Sequence, residues 1–216
     1  DDRLDIIAGV DASGSANAIY ALYCDSDDPL TGTWSRETLA EVTYAVNVLK
    51  VGDIDGDGWD DIVFGQPHAP AVGTLENPVD PSEWPDVYQL RALQNGGASG
   101  TWTAYDLGRD PAYFTLSLSG FYHGFWGATI NDLALADVDD DGDLDVVIAE
   151  GVEGDFNLAV WQNDGTPFDG NLWEGTTIGV GELGYYMADT LYGVGTADLD
   201  GDGWEDVVSG SGVAED

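Results

Sequence analysis

Apolar residues along this chain alternate with polar ones over short runs, on the order of four to eight positions, that stop at Gly, Asp, Asn or Pro. Runs of that length and period predict β-strands joined by tight turns, and no convincing helix longer than a turn or two is visible. One stretch repeats. VLKVGDIDGDGWDDIVFG, from Val48 to Gly65, recurs as LALADVDDDGDLDVVIAEG from Leu133 and as YGVGTADLDGDGWEDVVSG from Tyr192. A remnant, DDRLDIIAG, opens the chain at Asp1. Each copy reads as a strand, an acidic loop, and a strand rich in β-branched residues that ends near glycine.

A second repeated element follows each copy: IYALYCDSDDPLTGTW, VYQLRALQNGGASGTW and LAVWQNDGTPFDGNLW, closing on Trp34, Trp102 and Trp173. Apolar alternation around a Gly/Asp/Asn turn predicts a β-hairpin. One unit is then four antiparallel strands. The last aspartates of the acidic loops, Asp5, Asp61, Asp145 and Asp206, lie 56, 84 and 61 residues apart. Units of that size and strand number predict an all-β fold, a β-propeller of four-stranded antiparallel blades.

The chain therefore reads as a single repeat domain over 1–216, with blade units at about 1–46, 47–130, 131–191 and 192–216. The first unit is expected to lack its opening strand and the last to contain only its first two strands. The second unit carries two insertions, a proline-rich one at 66–86, expected as an extended surface loop, and an aromatic one at 109–126. Inserted loops in repeat proteins often carry binding.

The acidic loops carry the chemistry. Asp53, Asp55 and Asp57 stand at alternate positions, Gly58 permits a sharp turn, the Trp59 carbonyl can face inward, and Asp61 closes the shell. Asp137, Asp139, Asp141, Gly142, Asp143 (through its carbonyl) and Asp145 repeat the arrangement, as do Asp198, Asp200, Asp202, Gly203, Trp204 and Asp206. Six or seven hard oxygens around a flexible loop suit Ca²⁺ better than Mg²⁺, and the absence of sulfur and imidazole from the loops makes zinc and copper poor candidates. About three calcium ions are expected. The N-terminal remnant keeps Asp1 and Asp5 but has Asp2 in place of the turn glycine, so no complete site is expected there. An EF-hand is excluded: its twelfth position requires Glu, and here Phe64, Ile148 or Ser209 stands there between strands.

Composition narrows the partners. There are 42 acidic residues against five Lys and Arg, a net charge of −37. That charge excludes nucleic acid and an anionic membrane surface, and no apolar run is long enough for membrane insertion. Sixteen acids lie within the three full loops, leaving 26 elsewhere, which a halophilic source or simple solubility would explain. Cys24 stands alone, so an intrachain disulfide is impossible. His68 and His123 read as ordinary surface or core histidines.

The stretches GDIDGDGWDDIVFGQP from Gly52, ADVDDDGDLDVVIAEG from Ala136 and ADLDGDGWEDVVSG from Ala197 resemble the FG-GAP/VCBS repeat family, the integrin-α-like calcium-binding β-propellers. The resemblance implies radial blades with calcium held between the first and second strands of each. It also implies a secreted or cell-surface module for adhesion or recognition of a glycan or an extracellular protein. Family propellers usually close with about seven blades, so this chain reads as part of a larger propeller. The alternative is self-association through open end blades, giving a filament subunit. Tyr122, Phe125, Trp126, Tyr185 and Tyr186 are the candidate ligand-binding aromatics, although packing between blades would equally use them. An enzymatic role is not expected, because the patterned acids are committed to calcium and no Ser/His/Asp order is present. The propeller domain of a polysaccharide lyase or glycosidase is the catalytic alternative.

Overall fold

The computed structural model describes residues 5–10, 16–66, 90–108, 129–152, 155–179 and 190–212. Thirteen strands occur among them, with one 3₁₀ turn at Gly97–Ser99 as the helical element. They form four antiparallel sheets. The first contains β1 (Asp5–Val10), β2 (Asn17–Cys24) and β3 (Trp34–Val42). The second contains β4 (Val48–Gly52), β5 (Asp61–Gly65), β6 (Leu90–Asn95) and β7 (Trp102–Gly108). The third contains β8 (Thr129–Ala136), β9 (Asp145–Val152), β10 (Asp155–Gln162) and β11 (Glu174–Gly179). The fourth pairs β12 (Thr190–Ala197) with β13 (Asp206–Gly212). The fold is all-β, with strands in sequence order within each sheet, as partial propeller blades require.

Register repeats with the sequence. The last pairs before the acidic loops are Gly52 with Asp61, Ala136 with Asp145 and Ala197 with Asp206. The ninth residue of each loop is therefore also the first residue of a second strand. Asp5 opens β1 in the same way, opposite Tyr23.

The second strands β5 and β9 are apolar on both faces because both faces are covered. Ile62, Val63 and Phe64 of β5 and Val146, Val147, Ile148 and Ala149 of β9 are all buried. Phe64 and Ile62 pack with Ile19 and Val42 of the first sheet, while Val63, Leu90 and Leu107 pack with Ile130, Leu133, Ile148 and Trp161 of the third. Ala149 meets Leu191 of the fourth. Burying such side chains contributes roughly 1.5–3 kcal/mol each, so the contacts between sheets hold the array together.

Backbone fit sharpens the second boundary. A Cβ on Gly108 would lie 2.1 Å from Cζ3 of Trp161, so the ring lies directly over the glycine. Beside it, the Trp173 amide donates to the Leu107 carbonyl at 2.9 Å, from the third sheet to the second. Trp173 and Trp34 also close their own hairpins, donating from Nε1 to Pro167 O at 3.1 Å and Pro29 O at 3.3 Å.

One expectation changes. Gln66 was expected to begin a surface loop, yet it is buried, and its side-chain amide is satisfied by donating to the Tyr44 carbonyl at 2.8 Å. The rest of the 66–86 insertion, the whole 109–126 insertion, His68, His123, Asp1 and Asp2 lie outside the described residues.

Candidate metal centres

The geometry of each acidic loop follows from carboxylates answering the backbone amides of a tight coil. In the loop at 53–61, Asp53 Oδ2 accepts from Gly58 N at 2.9 Å, Asp55 Oδ1 from Asp57 N at 3.2 Å, and Asp57 Oδ1 from Trp59 N at 2.8 Å. Each bond turns the chain inward, and Gly56 and Gly58 supply positive φ of 71° and 90° where the coil reverses. In the loop at 137–145, Asp137 accepts from Asp141 N and Gly142 N, both at 3.0 Å, and Asp141 accepts from Asp143 N. In the loop at 198–206, Asp198 accepts from Gly201, Asp202 and Gly203, Asp200 from Asp202 N, and Asp202 from Trp204 N.

These bonds converge the acids. Carboxylate oxygens of Asp53, Asp55 and Asp57 lie within 4.8 Å of one another, as do those of Asp137, Asp139 and Asp145 and those of Asp198, Asp200 and Asp206. Like charges at that range repel by on the order of 3 kcal/mol per pair near a protein surface. Moreover, Oδ1 of Asp53 is enclosed and has no hydrogen-bond partner. An enclosed carboxylate oxygen without a donor, beside converging hard oxygen donors, fits a metal ion at 53–61, and the clusters at 137–145 and 198–206 offer the same donor type. A bound cation's charge would neutralise the converging carboxylates.

The ninth-position aspartates do a second job that spacing alone did not reveal. Asp61 and Asp145 are fully buried. Asp61 Oδ2 accepts from Ile54 N at 3.1 Å and its Oδ1 from Asn95 N at 2.7 Å. Asp145 accepts from Val138 N at 3.0 Å and Asn163 N at 2.9 Å, and Asp206 accepts from Leu199 N at 3.0 Å. Burial pushes the Asp61 carboxyl up to about 6; its two backbone donors oppose that rise, and the charges of Asp55 and Asp57 add to it. Burial raises Asp145 likewise, against the pull of the Asn163 and Val138 amides and with the charges of Asp139 and Asp141.

Two further residue pairs escaped the sequence reading. Gln94 Nε2 donates to Asp55 Oδ2 at 2.7 Å, and Gln162 Nε2 donates to Asp139 Oδ2 at 2.9 Å. The adjacent Asn95 and Asn163 supply the amides to Asp61 and Asp145. A Gln-Asn dipeptide at the ends of β6 and β10 thus clasps the acidic loops at 53–61 and 137–145, and its recurrence in LQNGG and WQNDG was the available signal. In the first sheet Tyr23 holds the equivalent register position and donates instead to Glu37, while Cys24 follows it. The other unforeseen feature is the fourth loop position, where Gly56, Asp140 and Gly201 all adopt positive φ.

The candidate aromatics Tyr122, Phe125, Trp126, Tyr185 and Tyr186 lie outside the described residues. Among the described residues no helix is long and apolar enough to cross a membrane.

Fold and site together define a protein of partial propeller blades with an aspartate-lined loop between first and second strands. Residues 137–209 match the FG-GAP-like repeat family, a span that begins at one acidic loop and ends just past the next. The chain is also 25% identical to integrin alpha-4 of Xenopus laevis over 98% of its own length, and it spans 18% of that relative. The match and the relative support the FG-GAP repeat family for this chain, in agreement with the resemblance carried by its acidic loops.

Proposed function

We propose that this chain is a calcium-stapled recognition module of a secreted or cell-surface protein, binding a glycan or an extracellular protein through surfaces that the ions keep rigid. The carrying observation is the enclosed, unanswered Oδ1 of Asp53 within one of three loops of like geometry. The proposed ligands are Asp53, Asp55, Asp57, Asp61 and the Trp59 carbonyl; Asp137, Asp139, Asp141, Asp145 and the Asp143 carbonyl; and Asp198, Asp200, Asp202, Asp206 and the Trp204 carbonyl. Calcium is millimolar outside cells, where even weak oxygen sites fill, and the similarity to an integrin α chain favours the same setting.

Each ion would hold together groups from both strands that flank its loop. Through the Gln-Asn clasp the third strand would be held as well. Blade units at about 1–46, 47–130, 131–191 and 192–216 would then move as rigid bodies, and the aromatics Tyr122, Phe125, Trp126, Tyr185 and Tyr186 are proposed for the ligand face. The test is retention of the chain on arrays of immobilised glycans and extracellular matrix proteins, with calcium and after its removal. Calcium-dependent retention without cleavage is expected. Retention unaffected by calcium removal, or turnover of a polysaccharide, would overturn the proposal.

A further inference from the structure

We propose that Asn163 couples the metal loops at 53–61 and 137–145, so that calcium in one raises the affinity of the other. The proposal rests on the calcium reading above and adds to it a connection between two sites in different sheets.

The connection is a continuous line of hydrogen bonds. Asn163 N donates to Asp145 Oδ1 at 2.9 Å, and Asn163 Nδ2 donates across the sheet boundary to the Ile54 carbonyl at 3.0 Å. Ile54 N in turn donates to Asp61 Oδ2 at 3.1 Å. All four residues are buried, with relative exposures of 0% for Asp61 and Asp145 and 1% for Ile54 and Asn163. Asp145 and Asp61 are the ninth residues of the two loops, and Ile54 lies between the Asp53 and Asp55 carboxylates. Water does not compete for bonds this deep, so displacement at one end is felt at the other.

Asn163 is fully committed to this role. Its Oδ1 accepts from Gly165 N at 3.1 Å, and its Nδ2 also approaches the Leu144 carbonyl, inside its own loop, at 3.4 Å. Both sides of the amide are therefore used, which fixes its orientation. Its counterpart Asn95 is half-buried and turns its Nδ2 to Asp60 O at 3.1 Å, within the loop it already serves. Asn163 thus reaches a second sheet where its repeat equivalent serves one.

The direction of coupling follows from ordering. An ion at 137–145 fixes Asp145, and with it the backbone of Asn163. The side-chain amide then holds the Ile54 peptide in place, and the carboxylates flanking it need less ordering when the second ion arrives. By linkage the effect is reciprocal.

The test follows the amide resonances of Gly58 and Gly142 during calcium titration of the unmodified chain, Asp139→Asn, Asn163→Ala and the double variant. With Asn163 present, Asp139→Asn is expected to raise the calcium needed to half-fill the loop at Gly58 about fivefold or more. In the Asn163→Ala background the same change should move that midpoint less than about twofold, on the same scale of coupling. A merely structural Asn163 would lower the melting temperature and leave the two ratios equal, which would overturn the proposal. Should Asn163→Ala not fold, the unmodified chain decides: a Gly58 curve that rises with Gly142, more steeply than one-site binding, supports coupling, and two independent one-site curves remove it. Calcium that shifts neither resonance would overturn the metal reading itself, and the coupling with it.

Discussion

Gln94 reaches from the end of its strand to place its side-chain amide 2.7 Å from Oδ2 of Asp55, the third residue of an acidic loop. Gln162 repeats the contact on Asp139 at 2.9 Å. A proposed metal ligand held by a neighbouring amide loses freedom before the ion arrives. Removing such an outer partner typically costs about 10–100-fold in metal affinity. Gln94→Ala is therefore expected to weaken calcium at 53–61 about tenfold, the low end for an open site. The loop at 198–206 should bind as before. Residue-resolved titration at Gly58 and Gly203 checks both.

Acid should act in opposite directions with and without calcium. In the metal-free chain Asp61 titrates at about 6 and Asp145 is also raised, whereas unfolded aspartate titrates near about 3.9. Between those values the folded state binds more protons, so its stability falls as pH rises through the window. Self-repulsion of the net −37 charge pushes the same way. Metal-free protein should thus melt higher at pH 4.5 than at pH 7. With calcium the proton competes with the ion for the carboxylates, and melting should instead be higher at pH 7. Thermal melts at both pH values in both states check the reversal.

Asp140 sits at φ 61° where the other two loops have glycine at 71° and 81°. Left-handed backbone costs an ordinary residue about 1–2 kcal/mol, and aspartate tolerates it better than most. Asp140→Gly should be neutral or stabilising by less than about 1 kcal/mol, since glycine's freedom in the unfolded chain offsets part of the relief. Asp140→Val, β-branched, should be about 2 kcal/mol less stable than the glycine variant. Denaturant unfolding of the pair measures the difference.

Gly108→Ala would drive a methyl against the buried Trp161 ring, whose Cζ3 lies 2.1 Å from the added carbon. Overpacking of this kind costs about 1–3 kcal/mol. The loss should appear in unfolding, with little change in calcium affinity at 198–206, which belongs to another sheet.

Strand order and loop position were legible because they follow local rules that repeat: alternation for strands, Asp and Gly for the coil, and a fixed nine-residue spacing. Asp61 looked like a ligand and nothing more. Its burial depends on the sheet packed over it, which no local pattern states. Gln94 and Gln162 were hidden for a related reason: each lies far along the chain from the aspartate it contacts, and a single Gln in a hairpin has no chemistry of its own. The Asn163 contact to Ile54 crosses 109 residues and a sheet boundary, so it exists only once the blades are packed. Gln66 was misjudged because the proline-rich composition after it outweighed the buried strand before it.

The most direct measurement is thermal unfolding of the intact chain in millimolar calcium and after calcium removal, alongside Asp57→Ala and Asp141→Ala. A ligand held at 100 times its dissociation constant stabilises by about 2.7 kcal/mol per site, and 1 kcal/mol moves the melting temperature of a domain this size about 2–4 °C. Calcium should therefore raise melting by about 10 °C or more, and each variant should lose part of that rise. An unchanged melting temperature on calcium removal would contradict the claim that bound calcium holds these sheets rigid.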